Sequence, residues 1–466
     1  MLGPCRYFKD CMDLSALKKE LEQKNKRIGE LETENKLLKT ELAELRTKLF
    51  GHRTKDKNKQ DIEKKPRKRG APKGHPGWFR KAPKRIDRVV ELRPDKCPFC
   101  GSGNITEYDR TEEHIQEDII VPETEVTKYI RHYGYCKTCR KVFYPRGDDE
   151  LIGSYIGPGA KAFAVYLKYR IKVSDRDIVD LFYRMFGLKI DPSSIPGFRN
   201  QLSRAALPLY NELLKSLKKS SYINADETGW KLDGINHWLW KFANKKVSIT
   251  HIDRSRGSRV VEDILGKKYD GVLISDFLSA YNPVVAKAKQ KCIVHLKREL
   301  IKISKRYSCD KSILRYIKRL EDLLEEAAEL KENYIDKRLS EKDYAARREE
   351  LVDSLKDFSF PHPLKGPLVT LSKRLKKHKD SLFTFLYYED VPSHNNHAEQ
   401  QIRPDVLLRK ITFGNRSPKG IANHSILQSI IQTARLNDID CPRILKEILS
   451  DKDTQRKKLI HSIRSP

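Results

Sequence analysis

At residue 221 the hydrophobic pattern switches to a period of two, and this most restricts what the chain can fold into. SYINADETGWKLD, NHWLWKFA and VSITHIDRS read as three consecutive strands joined by short polar turns. RVVEDILG follows as a helix, then GVLISD as a short apolar strand ending at Asp276. Three meander strands, a crossover helix and a parallel strand predict an α/β sheet in which the first and fourth strands are neighbours. Asp226 on the first strand and Asp276, 50 positions later, then converge at one edge of that sheet.

This is the opening of a ribonuclease-H-like α/β fold. Two carboxylates held close together repel, and one keeps its proton unless a cation lies between them. Mg²⁺ suits such a site because it takes a few carboxylates and fills its shell with waters and phosphate oxygens. The third acidic candidate is Glu399 in PSHNNHAEQQIRP, where Ser393, Asn395 or Asn396 caps a helix that carries Glu399 in its first turns.

Upstream, residues 14–49 are written in heptads. Leu14, Leu21, Ile28, Asn35, Leu42 and Leu49 occupy position a, and Leu17, Lys24, Leu31, Leu38 and Leu45 position d. This predicts a coiled coil, with Asn35 setting register and favouring two strands; a long amphipathic helix packed on its own protein is the alternative. Residues 51–88 hold fifteen Lys and Arg against four Asp and Glu, with prolines and glycines throughout. The stretch reads as a flexible linker whose Lys64, Lys65, Arg67, Lys68, Arg69 and Lys73 can bind phosphates, or as a merely solubilising tether.

Cys97-Pro-Phe-Cys100 and Cys136-Lys-Thr-Cys139 are two CxxC knuckles 35 residues apart. Two such pairs close a tetrahedron around Zn²⁺, and the full set of thiolates leaves no open position, so the zinc is expected to be structural. EVTKYIRHYGY between them alternates like a strand, predicting a zinc ribbon with a β-hairpin insert. Residues 155–220 read as helical: AKAFAVYLKYRIK, then SDRDIVDLFYRMFG with a Ser174–Asp177 capping box, then a short helix after Asp191-Pro192-Ser193-Ser194. With Arg199 and Arg204 this is compatible with a helix-turn-helix, and equally with a helical pair that never touches DNA.

Composition narrows the class. The 466 residues carry 94 Lys and Arg against 64 Asp and Glu, a formal charge of +30 that favours a polyanionic partner, most simply DNA. No apolar run approaches the roughly 20 residues of a spanning helix, so no membrane is expected. The N-terminus has no signal-peptide pattern, and nine cysteines in this length are sparse for a disulfide scaffold. The expected location is cytoplasmic, associated with the nucleoid of a prokaryotic host.

Taken together, these motifs resemble the DDE transposases of the insertion sequence 66 family over nearly the whole chain. A coiled coil, a GAPKGHPG-containing basic linker and a CxxCG…CxxC ribbon precede Asp226-Glu227-Thr228 and Ser275-Asp276-Phe277 with Ala280-Tyr281. Cys292, His295 and Arg298 match the family's C-x-x-H-x-x-R, and Asn395-Asn396-His397-Ala398-Glu399 with Arg403-Pro404 match its last motif, followed by Arg409-Lys410 and Phe413-Gly414. Gln400 stands where the family usually has Arg, which puts a phosphate contact there in doubt. The resemblance implies that Asp226, Asp276 and Glu399 form a triad binding Mg²⁺ or Mn²⁺, with His295 and Arg403 beside it. A second metal at Cys292 and His295 lacks further ligands, and a plain packing role for His295 remains the alternative.

The expected layout is a coiled coil at 1–50, a basic linker at 51–90, a zinc ribbon at 91–147 and a helical domain at 148–220. A ribonuclease-H-like catalytic core at 221–299 and 391–425 is interrupted by a helical insertion at 300–390 and followed by a helical segment at 426–466. The implied activity is metal-dependent cleavage of insertion-sequence ends and strand transfer into target DNA. The implied partners are DNA, a second copy through the coiled coil, and element-encoded accessory proteins. Two other readings are a catalytically inactive DNA-binding regulator derived from a transposase and a ribonuclease-H-like DNA nuclease. The three intact acidic positions weigh against the first, the coiled coil and ribbon against the second.

Overall fold

The computed structural model describes residues 19–35, a few isolated positions between 37 and 102, and residues 124–464 with gaps at 145–146, 148, 359–366, 451 and 453. The chain divides into a unit of Met1–Thr40 with Glu123–Pro466 and a second unit, Glu41–Pro122, of which only scattered positions are described.

Residues 19–35 are helical (α1), with Leu21, Ile28 and Leu31 left 59%, 53% and 47% exposed. β1 (Gly134–Cys136) and β2 (Lys141–Phe143) form a small antiparallel hairpin. Three helices follow: α2 (Pro158–Tyr166), α3 (Asp175–Phe186) and α4 (Ser194–Lys218). The capping box at α3 is present: Ser174 Oγ accepts from the Asp177 amide at 3.1 Å and donates to Asp177 Oδ2 at 2.7 Å. α4 is not the short helix expected but runs for 25 residues through Pro208. Pro208 lies on the solvent side, where the carbonyl it orphans, that of exposed Arg204, is open to water.

The central sheet is built from β3 (Tyr222–Leu232), β4 (Ile235–Ala243), β5 (Ser248–Asp253), β6 (Lys268–Ser275) and β7 (Val285–Lys291), with α5 (Ser258–Leu265) crossing between β5 and β6. The strand order is β5-β4-β3-β6-β7, antiparallel within the meander and parallel from β3 through β7. The segment after β7 is helical: α6 (Ile293–Arg306), α7 (Lys311–Ile335), α8 (Glu341–Phe358) and α9 (Pro367–His378). The chain closes with α10 (Asn396–Thr412), α11 (Pro418–Leu436), α12 (Cys441–Leu449) and α13 (Thr454–Arg464).

Strand alternation sends successive side chains to opposite faces, and each face has its own core. Ile223, Ala225 and Leu273 pack with α2, α4, α11, α12 and α13. Tyr222, Val272 and Ile274 pack with the helices of 293–391. α2 and α4 therefore share a core with the sheet, α3 packs in a separate cluster with Ala164, Leu167, Ile195 and Phe198, and α11 runs without a break across position 425. Side chains cover β5 and the end of β7, the two edge strands. The Ser248 and Thr250 amides of β5 donate to Thr433 Oγ1 (3.1 Å) and Ser429 Oγ (2.8 Å) of α11. Beyond β7, Gln290 bonds the Phe385 amide and the Leu382 carbonyl, and Thr384 Oγ1 donates to the Lys289 carbonyl. No helix among the described residues is long and apolar enough to cross a membrane.

Candidate active site

The register of β3 against β6 pairs Asn224 with Ile274. Two residues further along each strand stand Asp226 and Asp276, the latter the first residue past β6. Parity puts both on the face that carries Tyr222, Val272 and Ile274. Glu227, one residue on, points to the other face. Its carboxylate, only 2% exposed, accepts from Tyr281 Oη at 2.8 Å and pairs with Arg256 at 2.8 Å, so it is already partnered.

Glu399 lies in the first turn of α10, with 22% of its side chain exposed. Asn395 occupies the N-cap position, as one of the three expected candidates, but its side chain does not cap. It is fully buried, its Nδ2 donates to the Ala225 carbonyl at 2.7 Å, and its Oδ1 accepts from Asn224 Nδ2 at 3.1 Å. Its own amide donates to Cys292 Sγ at 3.2 Å. The Cys292 amide in turn donates to the Ser275 carbonyl (2.9 Å), and the Ile293 amide to the Ser393 carbonyl (3.0 Å). The start of α10, the start of α6 and the ends of β3 and β6 are thus tied at one place.

The electrostatics report the same convergence. Burial pushes the Asp226 carboxyl up to about 7, and the charges of Glu227, Asp276 and Glu399 add to that rise against a Glu227 amide that lowers it. Buried Lys291 donates to Ser275 Oγ (3.0 Å) and the Asp276 carbonyl (2.7 Å). Burial lowers its ammonium to about 8 although Asp276 opposes this. His295, in the first turn of α6, places Nδ1 3.8 Å from Glu399 Oε1, and Arg298 Nη2 is 3.7 Å from Glu399 Oε2. Arg403 is exposed one turn beyond Glu399. Asp276 and Glu399 both act electrostatically on Asp226; among the described residues the ligand atoms that come within 4.8 Å of one another are those of Cys292, His295 and Glu399, with Glu399 Oε1 buried and without a hydrogen-bond partner.

α10 is anchored by a buried ion pair. Lys241 of β4 lies 2.9 Å from Asp405, which also meets His424 Nε2 at 2.9 Å; both members of the Lys241–Asp405 pair are fully buried. Sequence reasoning named Glu227 only as the middle of the Asp226-Glu227-Thr228 motif and singled out none of Lys291, Lys241, Asp405 or His424. Their common signal was available only in part, as charged residues in otherwise apolar strand and helix faces. Arg199, expected as a basic residue of a helix-turn-helix, is instead committed inward, with both Asp175 oxygens within 3.0 Å of its Nη1.

Of the expected zinc ligands, Cys136 ends β1 and Cys139 sits in the following turn, its amide 3.5 Å from Cys136 Sγ. Cys97 and Cys100 lie outside the described residues, as do Lys64, Lys65, Arg67, Lys68, Arg69 and Lys73.

A five-stranded mixed sheet flanked by helices, with Asp226 and Asp276 where two parallel strands end, defines a mixed α/β protein whose architecture is compatible with a transposase catalytic domain. The family model described as Transposase IS66 family matches residues 153–423, more than half of the chain, and the chain belongs to that family. Its function is accordingly of the transposase type, that of a DNA-processing enzyme of an insertion sequence. A search of curated proteins finds no match.

Proposed function

We propose that this protein cuts the phosphodiester backbone at the ends of an insertion sequence and joins the freed ends to target DNA. The observation that carries this reading is the placement of Asp226 and Asp276 at equivalent positions on neighbouring strands, on one face, with Glu399 near enough to act on Asp226. The sheet order and the parallel β3–β6 pair support a ribonuclease-H-like core.

Asp226, Asp276 and Glu399 would hold Mg²⁺ or Mn²⁺. Such ions, when bound, acidify a water and stabilise a leaving oxygen. The residues around them set the geometry. Lys291 fixes the Asp276 backbone, Asn395 fixes the start of α10, and Tyr281 with Arg256 keeps Glu227 out of the site. Arg298 and Arg403 flank Glu399 and offer cations to the DNA backbone. In the first reaction water attacks phosphorus, the bond to the 3′ oxygen breaks, and that oxygen gains a proton. In the second, the new 3′-OH attacks a target phosphodiester and loses its proton while the target's own P–O3′ bond breaks and that oxygen gains one, so no covalent protein–DNA intermediate is needed.

Around this centre, Cys97, Cys100, Cys136 and Cys139 would form a structural zinc site, and the basic linker would add affinity for DNA ends. The exposed Leu21, Ile28 and Leu31 of α1 support a coiled-coil dimer that brings two ends together.

The test compares Asp226→Asn, Asp276→Asn and Glu399→Gln with the parent on a labelled inverted-repeat end, by cleavage and by binding titration. Cleavage is expected to fall by orders of magnitude in each while DNA affinity holds. Parent-like cutting by all three variants would show the triad to be wrong.

A further inference from the structure

His295 and Glu399 face each other across a gap that nothing in the fold accounts for. Nδ1 of His295 and Oε1 of Glu399 are both buried, neither has a hydrogen-bond partner among the described residues, and they stand 3.8 Å apart. That is too long for a direct hydrogen bond. It is shorter than the roughly 4.2 Å spanned by two opposed metal–ligand bonds of about 2.1 Å each. A small cation therefore fits between them.

The surrounding structure holds both groups to this arrangement. The first turn of α6, which carries His295, is pinned to β6 through the Cys292 amide and to the loop before α10 through the Ile293 amide. Cys292 Sγ lies within 4.8 Å of the other two ligand atoms. It is already taken, accepting the Asn395 amide at 3.2 Å, and works as part of the frame. Arg298 occupies the other oxygen of Glu399, which leaves Oε1 for the gap.

We infer that His295 Nδ1 is a protein ligand of the divalent ion held by Glu399, making the centre one of three carboxylates and an imidazole. This rests on the triad reading above and adds a nitrogen donor to it. A nitrogen donor changes which ion is preferred. Carboxylates and water suit Mg²⁺ and Mn²⁺, whereas imidazole favours later first-row ions, so the site should retain Co²⁺ or Ni²⁺ more tightly than an all-oxygen site.

The experiment uses full-length, tag-free protein with its zinc in place, titrated with Mn²⁺ in the absence of DNA and followed by electron paramagnetic resonance. Pulsed measurements on the bound ion should show coupling to a ¹⁴N nucleus. In His295→Ala that coupling should vanish and Mn²⁺ affinity should drop at least about tenfold, with circular dichroism and melting temperature unchanged. Cys292→Ser should keep both the coupling and the affinity. If Mn²⁺ binding depends on Asp226 and Asp276 but shows no nitrogen coupling, the His295 assignment is overturned and the triad stands. If the parent protein binds no Mn²⁺ at this centre, both fall.

Discussion

Asn395 Nδ2 donates to the carbonyl of Ala225 at 2.7 Å, so the residue that begins α10 is bonded to the backbone directly before Asp226. This buried amide side chain is the direct tie between the start of α10, which carries Glu399, and the strand that carries Asp226. Asn395→Ala leaves a buried carbonyl and the Asn224 amide without this partner, a cost of about 1–3 kcal/mol. The expected outcome is a lower unfolding midpoint in urea together with a larger fractional loss of end cleavage than of DNA binding. Binding and cleavage falling in equal proportion would show that Asn395 serves stability alone.

Lys241 and Asp405 should respond to substitution more severely than any surface pair. Removing one partner of a fully buried pair strands the other charge, at about 3–5 kcal/mol. Asp405→Asn is therefore expected to unfold at markedly lower denaturant, measured by fluorescence of the four tryptophans.

The same pair predicts an acid dependence. Burial pushes the Asp405 carboxyl up, but Lys241 and His424 pull it further down, leaving it below its ordinary value. A carboxyl with a depressed folded pKa stabilises fully above its unfolded value, about 3.9, and this stabilisation is lost as pH falls through the folded value. The parent's stability advantage over Asp405→Asn should thus be constant near neutrality and shrink only in strongly acidic solution, as followed by denaturant titrations from pH 7 downward.

Replacing Leu21 and Leu31 by Lys should convert a dimeric full-length chain to a monomer in sedimentation equilibrium without altering the unfolding of the sheet. Asn35→Leu should strengthen association while loosening the choice of oligomer. A parent chain that sediments as a monomer at high concentration would remove the coiled coil.

Freshly purified, reduced protein should carry about one Zn²⁺ per chain, and Cys136→Ser or Cys97→Ser should lose it, because three thiolates no longer close the tetrahedron. Metal analysis by mass spectrometry decides this; a zinc-free parent would sink the ribbon.

The sheet was legible in the sequence because its alternation is strong and local. Once β3 and β6 were recognised as neighbours, the approach of Asp226 to Asp276 followed, since equal offsets along paired strands preserve register. The frame around them was not legible. Asn is favoured both as a helix cap and as a buried hydrogen-bonding group, and only the approach of Ala225, 170 positions away, decides which role Asn395 takes. Whether Arg199 faces DNA or its own protein was open for a similar reason, because its partner Asp175 sits on another helix. The extent of α4 was hidden by Pro208, whose exposed position makes it tolerable.

The covered edges of the sheet bear on how such a chain survives high local concentration. An open strand edge is a template for pairing with any other extended chain, and proteins with exposed edges aggregate through it. Here Ser429 and Thr433 occupy the donors of β5, and Gln290 and Thr384 tie the segment at 382–385 to β7. Strand exchange between copies is thereby opposed along β5 and at the 289–290 end of β7, which disfavours fusion of the sheets of two molecules drawn together on the same stretch of DNA.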